Sequence, residues 1–566
     1  MEASFHTAWD TLTADDAPFG WTVKDIRGIP TRTYNNAPPH MRFIWELSAG
    51  YGDRPYLQFL DETLTYSEAH DQVAALATYL VNHGVGSGDR VAIAMRNYPE
   101  WVLAYWATIS IGAAVVGMNA WWTTPEMEYG LKDSAPKVLI ADGSRIATIT
   151  PILDMLRSTG PLHVIAVRTD DKLPDDAINW TAAIDTPHEG LPAAEIDPES
   201  DCSIFYTSGT TGFPKGAALT HRGCTSNIMN FSFWNALGKT SNPEADELIG
   251  SEDSPIATTA LLAVPLFHVT GCNCCMHLVT GVGGKIILLY RWDPGEALEI
   301  IEREKVTSFT GVPVMSREIV EHPNFATTDT STLATLGGGG AAVQPDLVEK
   351  IENSLEKGRP STGYGLTEVC GVISINSADW FLEKPKTVGP PMPTIEAKVV
   401  DTDGKTLPQG EIGELCVLGP NNVRGYLNQP EATAEAFPGG WFMTGDLATL
   451  DEDGFITIVD RAKDMVLRGG ENVYCAEVEA AIFEHDAIRE CAVFAVPDDR
   501  LGEAVGVAVV LHDGHEMSAD ELRAYAVPKI AKFKIPEHVW FLTEDLPRNA
   551  NGKFLKRQLR ETLAGE

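Results

Sequence analysis

Residues 206–216 read Tyr206-Thr207-Ser208-Gly209-Thr210-Thr211-Gly212-Phe213-Pro214-Lys215-Gly216. The string combines the hydroxyls of Thr207, Ser208, Thr210 and Thr211 with glycines and a lysine. Glycine lets a backbone turn tightly and approach a ligand closely. Hydroxyls and an ammonium group suit phosphate oxygens. The order differs from a Walker loop, because Lys215 precedes a glycine and G-x-x-x-x-G-K-[S/T] is absent. A plain surface turn would not require so long and ordered a string. Other charged or polar residues are ambiguous alone. Glu368 could be a surface carboxylate, Asp446 and Arg461 salt-bridge partners, Lys553 a solvated charge and His268 a satisfied core histidine.

These residues need a scaffold, and helix and strand patterns alternate along most of the chain. An apolar strand is expected over residues 203–206, directly before the hydroxyl-rich string. Thr65 and Glu68 form a capping-box pattern, followed by Val73, Leu76, Ala77, Leu80 and Val81 at helical spacing, with Gly84 as the stop. A strand is expected at once, over residues 90–95. Such alternation implies parallel sheets covered by helices. The last hundred residues change character, with a short helix over 476–485 and strands over 491–496 and 504–511, as in a small α+β domain. A dense polar run at 460–464 follows an expected strand at 454–459 and marks the boundary. Residues 239–254 are polar and acidic between apolar segments, and read as a surface loop.

In this setting the string at 206–216 resembles the phosphate loop of the adenylate-forming superfamily, which includes acyl-CoA synthetases, adenylation domains of peptide synthetases and beetle luciferases. The resemblance continues in order. Pro265-Leu266-Phe267-His268 is similar to the aromatic-histidine motif beside the acyl pocket. Residues 336–343, with Gly337, Gly338, Gly339 and Gly340, are similar to the segment flanking adenine. Thr362-Gly363-Tyr364-Gly365-Leu366-Thr367-Glu368 resembles the next motif, residues 441–447 with Thr444-Gly445-Asp446 the ribose motif, and Asp460-Arg461-Ala462-Lys463-Asp464 the hinge. Residues 547–553, ending Asn551-Gly552-Lys553, resemble the catalytic-lysine motif. One match would say little; six in order are specific.

The resemblance implies a large N-terminal region of αβ layers plus a distorted barrel, residues 1–462, and a small C-terminal α+β lid, residues 463–566, with ATP and the acid in the cleft between. ATP would be held by Thr207, Ser208, Gly209, Thr210, Thr211, Gly212 and Lys215, by Gly339, Gly340, Ala341, Thr362, Gly363, Tyr364, Gly365 and Thr367, and by Asp446, Arg461 and Lys553. Tyr364 would stack on adenine, and Asp446 would accept the ribose hydroxyls, with Arg461 donating beside it. A hard Mg²⁺ ion prefers carboxylate and phosphate oxygens, which makes Glu368 its expected ligand. The acid would meet His268, Val269, Phe233, Gly338 and Gly365. Thr207, Lys215, Glu368 and Lys553 are the expected catalytic set, with Lys553 steadying the substrate carboxylate and the α-phosphate. Lys463 is the expected pivot, and Gly469, Gly470 and Tyr474 the expected coenzyme A contacts. Two departures stand out: Thr362 replaces the Asn or Gln of many relatives, and Cys475 replaces their proline.

The implied reaction joins a carboxylic acid to AMP with release of pyrophosphate, then passes the acyl group to coenzyme A. Met229, Phe231, Phe233, Trp234 and Leu237 suggest an apolar pocket wall, facing small residues at 338–342 and Val372, and so a medium- or long-chain fatty acid. The alternatives are an aryl acid, a carrier-protein acceptor, or luciferase-like oxidation of the adenylate. The formal net charge of -36 over 566 residues excludes unspecific nucleic-acid binding. Nine scattered cysteines point to a reducing compartment. Cys272, Cys274 and Cys275 lack a second ligand pair and read as core residues rather than metal ligands. No signal peptide is evident, so the expected location is the cytoplasm, with peripheral membrane association and a homodimer left open. The uncharged stretch 101–125 is expected to be a buried helix ending near Gly112 followed by a strand at 113–116, not a membrane span.

Overall fold

The computed structural model describes residues 2–207, 214–241, 257–340, 343, 345–355, 358–549 and 552–565. Ser208, Gly209, Thr210, Thr211, Gly212 and Ala341, and nearly all of the acidic segment 239–254, therefore lie outside the described residues. The chain divides into two compact units. The first holds Met1–Pro385, Pro391–Glu396 and Leu418–Phe442; the second holds Lys386–Pro390, Ala397–Val417 and Met443–Glu566.

Two large sheets organise the first unit. A seven-stranded sheet runs in the order Lys215–Thr220, Asp201–Thr207, Ala114–Gly117, Arg90–Ala94, Val138–Asp142, His163–Val167 and Ala177–Asn179. Its neighbours are parallel except for the antiparallel pair Asp201–Thr207 and Lys215–Thr220. Every residue of Val138–Asp142 is buried, as expected of a strand covered on both faces. An eight-stranded sheet runs Gly371–Ser377, Arg359–Leu366, Thr335–Gly339, Ser308–Gly311, Thr259–Leu262, Lys285–Leu288, Pro55–Phe59 and Glu62–Thr65. It is parallel in the middle and antiparallel at each end.

The helices follow from local signals. At Tyr66–Asn82 the Thr65 hydroxyl accepts from the Glu68 N–H at 3.2 Å, while Glu68 accepts from the Thr65 N–H at 2.8 Å. Its inner stripe of Val73, Leu76, Ala77 and Leu80 is buried. The uncharged stretch forms the helix Pro99–Ser110, buried everywhere except Glu100, followed by the buried strand Ala114–Gly117. No described helix is long and apolar enough to cross a membrane.

In the second unit a four-stranded sheet runs Glu396–Val400, Gly413–Leu418, Phe442–Leu450 and Ile456–Arg461. Beyond it the long hairpin Ile488–Asp498 and Gly502–Leu511 anchors a five-stranded sheet with Val466–Arg468, Glu471–Val473 and His538–Leu542. Alternation sorts this hairpin into two faces. Val493, Val505, Val507 and Val509 join Val478, Ile482 and Leu522 of the helices Cys475–Phe483 and Ala519–Ala526. Ala492, Phe494, Val496, Ala508 and Val510 pack with Leu559 of the helix Lys556–Leu563. The expected α/β and α+β classes are both present.

Candidate active site

The strand Asp201–Thr207 delivers the chain to the hydroxyl-rich string, and Lys215–Thr220 carries it away in antiparallel register, with Thr207 opposite Lys215. The Thr207 hydroxyl donates to the Lys215 carbonyl at 3.4 Å, across the neck of the loop. Segment 424–427 lies along the outer side of Lys215–Thr220. The Leu427 N–H donates to the Gly216 carbonyl at 2.7 Å, the Arg424 N–H to the Ala218 carbonyl at 3.0 Å, and the Ala218 N–H to the Gly425 carbonyl at 2.9 Å. This seats Tyr426 beside the neck. Its hydroxyl donates to Glu368 Oε1 at 2.9 Å, and Lys215 Nζ lies 5.0 Å from its ring centroid. Lys215 and Glu368, far apart in sequence, are thus joined through a residue that no motif singled out, and Thr207 adjoins them through the Lys215 carbonyl.

Glu368 lies in the short turn Thr367–Val369, which links two antiparallel strands, and is only 9% exposed. Those strands, Arg359–Leu366 and Gly371–Ser377, approach closely with a register shift between Tyr364 and Gly365. A Cβ on Gly365 would lie 1.8 Å from the Gly371 carbonyl oxygen. Gly365 is therefore glycine for backbone packing, whatever else it touches. On the other side, Gly338 pairs with Thr362 and Gly339 with Gly363. The Thr362 hydroxyl donates to the Gly338 carbonyl at 3.2 Å. The residue that departs from the usual Asn or Gln thus spends its hydroxyl inside the sheet. Gly340 ends the run with φ +78°, a conformation favouring glycine.

His268 and Val269 open a short helical turn that passes into a π-helical turn, Cys272–Met276. Such turns are rare and occur mostly as single bulges within α-helices, frequently at functional sites. Cys272 and Cys275 are buried and Cys274 half-buried. From this turn Asn273 donates to the Cys370 carbonyl at 3.0 Å. Asn227, on the helix His221–Ser241, donates to the Asn273 carbonyl at 3.0 Å and accepts from the Val372 N–H at 3.0 Å. Two asparagines missed by motif reading therefore tie the backbone after Glu368 to the two segments expected around the acid. Phe233, expected on the pocket wall, is fully buried, with Trp9 4.7 Å and Phe19 5.4 Å from its ring. Its observed partners are aromatic side chains of the amino-terminal segment. Trp234 is similarly engaged, donating its indole N–H to Ser377 and packing edge-on to Trp380.

In the second unit, Asp446 and Arg461 are register partners on neighbouring strands, and Arg461 Nε sits 2.6 Å from Asp446 Oδ1. Asp446 is buried. Burial also lowers the pKa of Lys463. Gly469 and Gly470, at φ +59° and +91°, form the two-residue turn between Val466–Arg468 and Glu471–Val473, a geometry that needs positive φ at both positions. Tyr474 then caps the helix Cys475–Phe483. Lys553 is exposed on a tight turn, where its N–H donates to Asn549 Oδ1 at 3.0 Å and its carbonyl accepts from the Asn549 N–H at 2.9 Å.

The second departure has a physical consequence. Proline has no N–H, whereas Cys475 donates its own to Asp460 Oδ2, and its thiol to the Asp464 carbonyl at 2.9 Å. Burial pushes the Asp460 carboxyl up to about 6 from 3.8, against the pull of Lys556. A raised carboxyl contributes stability that is full below the unfolded value and lost as pH rises through the folded one. Asp460→Asn cannot ionise, so its stability relative to the wild type should rise between pH 4 and 7, by at most ~3 kcal/mol. Denaturant unfolding of both proteins at these pH values checks this, and a constant difference would refute it.

A family model for AMP-binding enzymes matches residues 44–427, and one for the AMP-binding enzyme C-terminal domain matches residues 477–553. The chain belongs to the AMP-binding enzyme family. A feruloyl-CoA synthase from Amycolatopsis sp is 37% identical over 501 residues, covering 88% of this chain and 93% of the relative. A long-chain-fatty-acid–CoA ligase from Bacillus subtilis is 34% identical over 541 residues, covering 92% and 93%. The solved structure of the Bacillus subtilis o-succinylbenzoate CoA synthetase, in complex with its acyl-adenylate intermediate, aligns with a TM-score of 0.77 at 29% identity, covering 94% of this chain and all of that one (100%). The AMP-binding enzyme described here is an AMP-forming ligase of the acyl-CoA synthetase type, with ATP and coenzyme A as its co-substrates.

Proposed function

We propose that this enzyme joins an apolar monocarboxylic acid to AMP and then transfers the acyl group to coenzyme A. The observation that carries the assignment of roles is the meeting of Lys215 and Glu368 on Tyr426 at the neck of the phosphate loop, where the Thr207 hydroxyl bonds the Lys215 carbonyl. In the first half-reaction a carboxylate oxygen attacks the α-phosphorus of ATP and pyrophosphate leaves. Lys215 and the hydroxyls beginning with Thr207 bind the departing phosphates, and Lys553 supplies positive charge where carboxylate and α-phosphate meet. Asp446 and Arg461 hold the ribose, and Tyr364 the adenine. In the second, the thiol attacks the acyl carbonyl and AMP leaves. The mixed anhydride is already activated, so no strong base is required. A turn of the chain at Lys463 separates the two steps, and the Gly469-Gly470 turn with Tyr474 serves the second.

Glu368 fits a Mg²⁺ site of the kind completed by nucleotide phosphates. It offers a hard anionic oxygen at a nearly buried position, and among the described residues Oε2 accepts no hydrogen bond. The ion would neutralise charge on the triphosphate.

For the acid, a medium- or long-chain fatty acid is the first reading. It draws on the uncharged residues around 338–342 and Val372, and on the similarity to a long-chain-fatty-acid ligase. An aromatic acid is the second reading. It is favoured by the similarity to a feruloyl-CoA synthase. A panel of acids with ATP, Mg²⁺ and coenzyme A, followed by AMP and thioester mass, tests both. On the first reading each methylene improves kcat/KM by a factor matching ~0.8 kcal/mol until the pocket ends. A flat chain-length series with strong turnover of cinnamate-type acids would overturn it in favour of the second.

A further inference from the structure

Tyr426 touches two residues of the proposed machinery and has no role in it so far. Its backbone is fixed from both sides. Segment 424–427 is hydrogen-bonded along Lys215–Thr220, and the Tyr426 N–H donates to Thr433 Oγ1 at 2.9 Å. Thr433 in turn donates to the Gln429 carbonyl at 2.8 Å. Gly425, at φ +147°, leaves no room for a side chain: a Cβ there would lie 2.6 Å from a Thr433 carbon. The phenol is thus aimed by its neighbours. At one end its hydroxyl occupies Glu368 Oε1, and its ring lies under the Lys215 ammonium.

We infer that Tyr426 is a positioning residue for adenylation, setting the orientation of the Glu368 carboxylate and the rest position of Lys215. This rests on the reading of Glu368 as a metal ligand. A carboxylate on a short turn rotates freely about its last torsion unless one oxygen is engaged. The Tyr426 O–H engages Oε1 and directs Oε2 outward as the oxygen for the cation. The ring face attracts an ammonium without taking any of its three N–H donors, so Lys215 remains able to donate to phosphate.

The test uses full-length Tyr426→Phe, which keeps the ring and loses only the hydroxyl, with Mn²⁺ as the probe. Electron paramagnetic resonance measures Mn²⁺ bound by the protein with ATP, and ATP–pyrophosphate exchange is titrated with metal. The expected result is roughly tenfold weaker Mn²⁺ binding, about what one hydrogen bond to a charged group contributes. The exchange midpoint should move to higher metal by a similar factor, with its plateau nearly restored. Glu368→Gln separates the two readings. If it weakens Mn²⁺ binding and Tyr426→Phe does not, the role of Tyr426 is overturned alone. If Glu368→Gln leaves binding unchanged, the metal assignment fails and this inference with it.

Discussion

Lys553→Ala is expected to slow acyl-adenylate formation by roughly 10²–10³-fold, the range seen when one preorganised charge-stabilising donor is removed. Preformed acyl-adenylate should still be converted to thioester at close to the wild-type rate. The structure makes this a clean experiment. Lys553 is exposed, and the hydrogen bonds that shape its turn run from its own backbone to Asn549. The turn is held further by Arg548, whose guanidinium donates to the Gly552 carbonyl at 2.8 Å and to Glu490 at 2.7 Å. Alanine keeps these backbone bonds and removes the charge. ATP–pyrophosphate exchange measures the first step, and thioester release from supplied acyl-adenylate the second. Equal losses in both would show that Lys553 is not specific to adenylation.

Gly365→Ala should have the largest effect on stability. A methyl group there would sit 1.8 Å from the Gly371 carbonyl oxygen, 2.7 Å from its carbon and 2.8 Å from the Val372 Cα. All three are backbone atoms, and the segment is tied down by the Asn227 contact to the Val372 N–H. A rotamer change cannot relieve the overlap, so the two strands must separate. The expected cost is ~3 kcal/mol or more, the upper end for overpacking. Gly363→Ala is the matched control, because its Cβ would meet only Val372 Cγ1 at 3.4 Å, an ordinary contact. Denaturant unfolding followed by tryptophan fluorescence compares them. Equal stability of the two variants would remove the steric account of Gly365.

Local signals were legible in the sequence, and pairings across long separations were not. The capping box at Thr65 and Glu68 and the apolar stripe after it are encoded within one helix, and that helix forms. Asp446 and Arg461 could each be nominated from their motifs, but their direct contact depends on strand register. Tyr426 lies 58 residues from Glu368 in the chain, and no local pattern marks that separation. Asn227 and Asn273 were missed for the same reason, since each acts through backbone groups supplied by distant segments. The aromatic side chains on the helix His221–Ser241 suggest a pocket wall by composition alone. What covers Phe233 comes from Trp9 and Phe19, and an apolar position does not reveal its partner. Cys475 was visible as a departure from proline; that its freed N–H reaches Asp460 required the fold.

The pairing of segment 424–427 with Lys215–Thr220 also has a consequence for synthesis. In addition to its backbone bonds, Arg424 makes two contacts of 2.8 Å to Asp201, so it finishes the outer border of the seven-stranded sheet. The strands of that sheet all precede residue 221. Its outermost strand therefore leaves the ribosome roughly 200 residues before the segment that covers it, a delay on the order of 10–40 s at ordinary elongation rates. Throughout that interval the nascent chain carries a row of unpaired amides and carbonyls beside the hydroxyl-rich string, the kind of bare template that recruits other chains. Truncated products ending between residues 221 and 424 should accordingly aggregate, even though every strand of that sheet has been made.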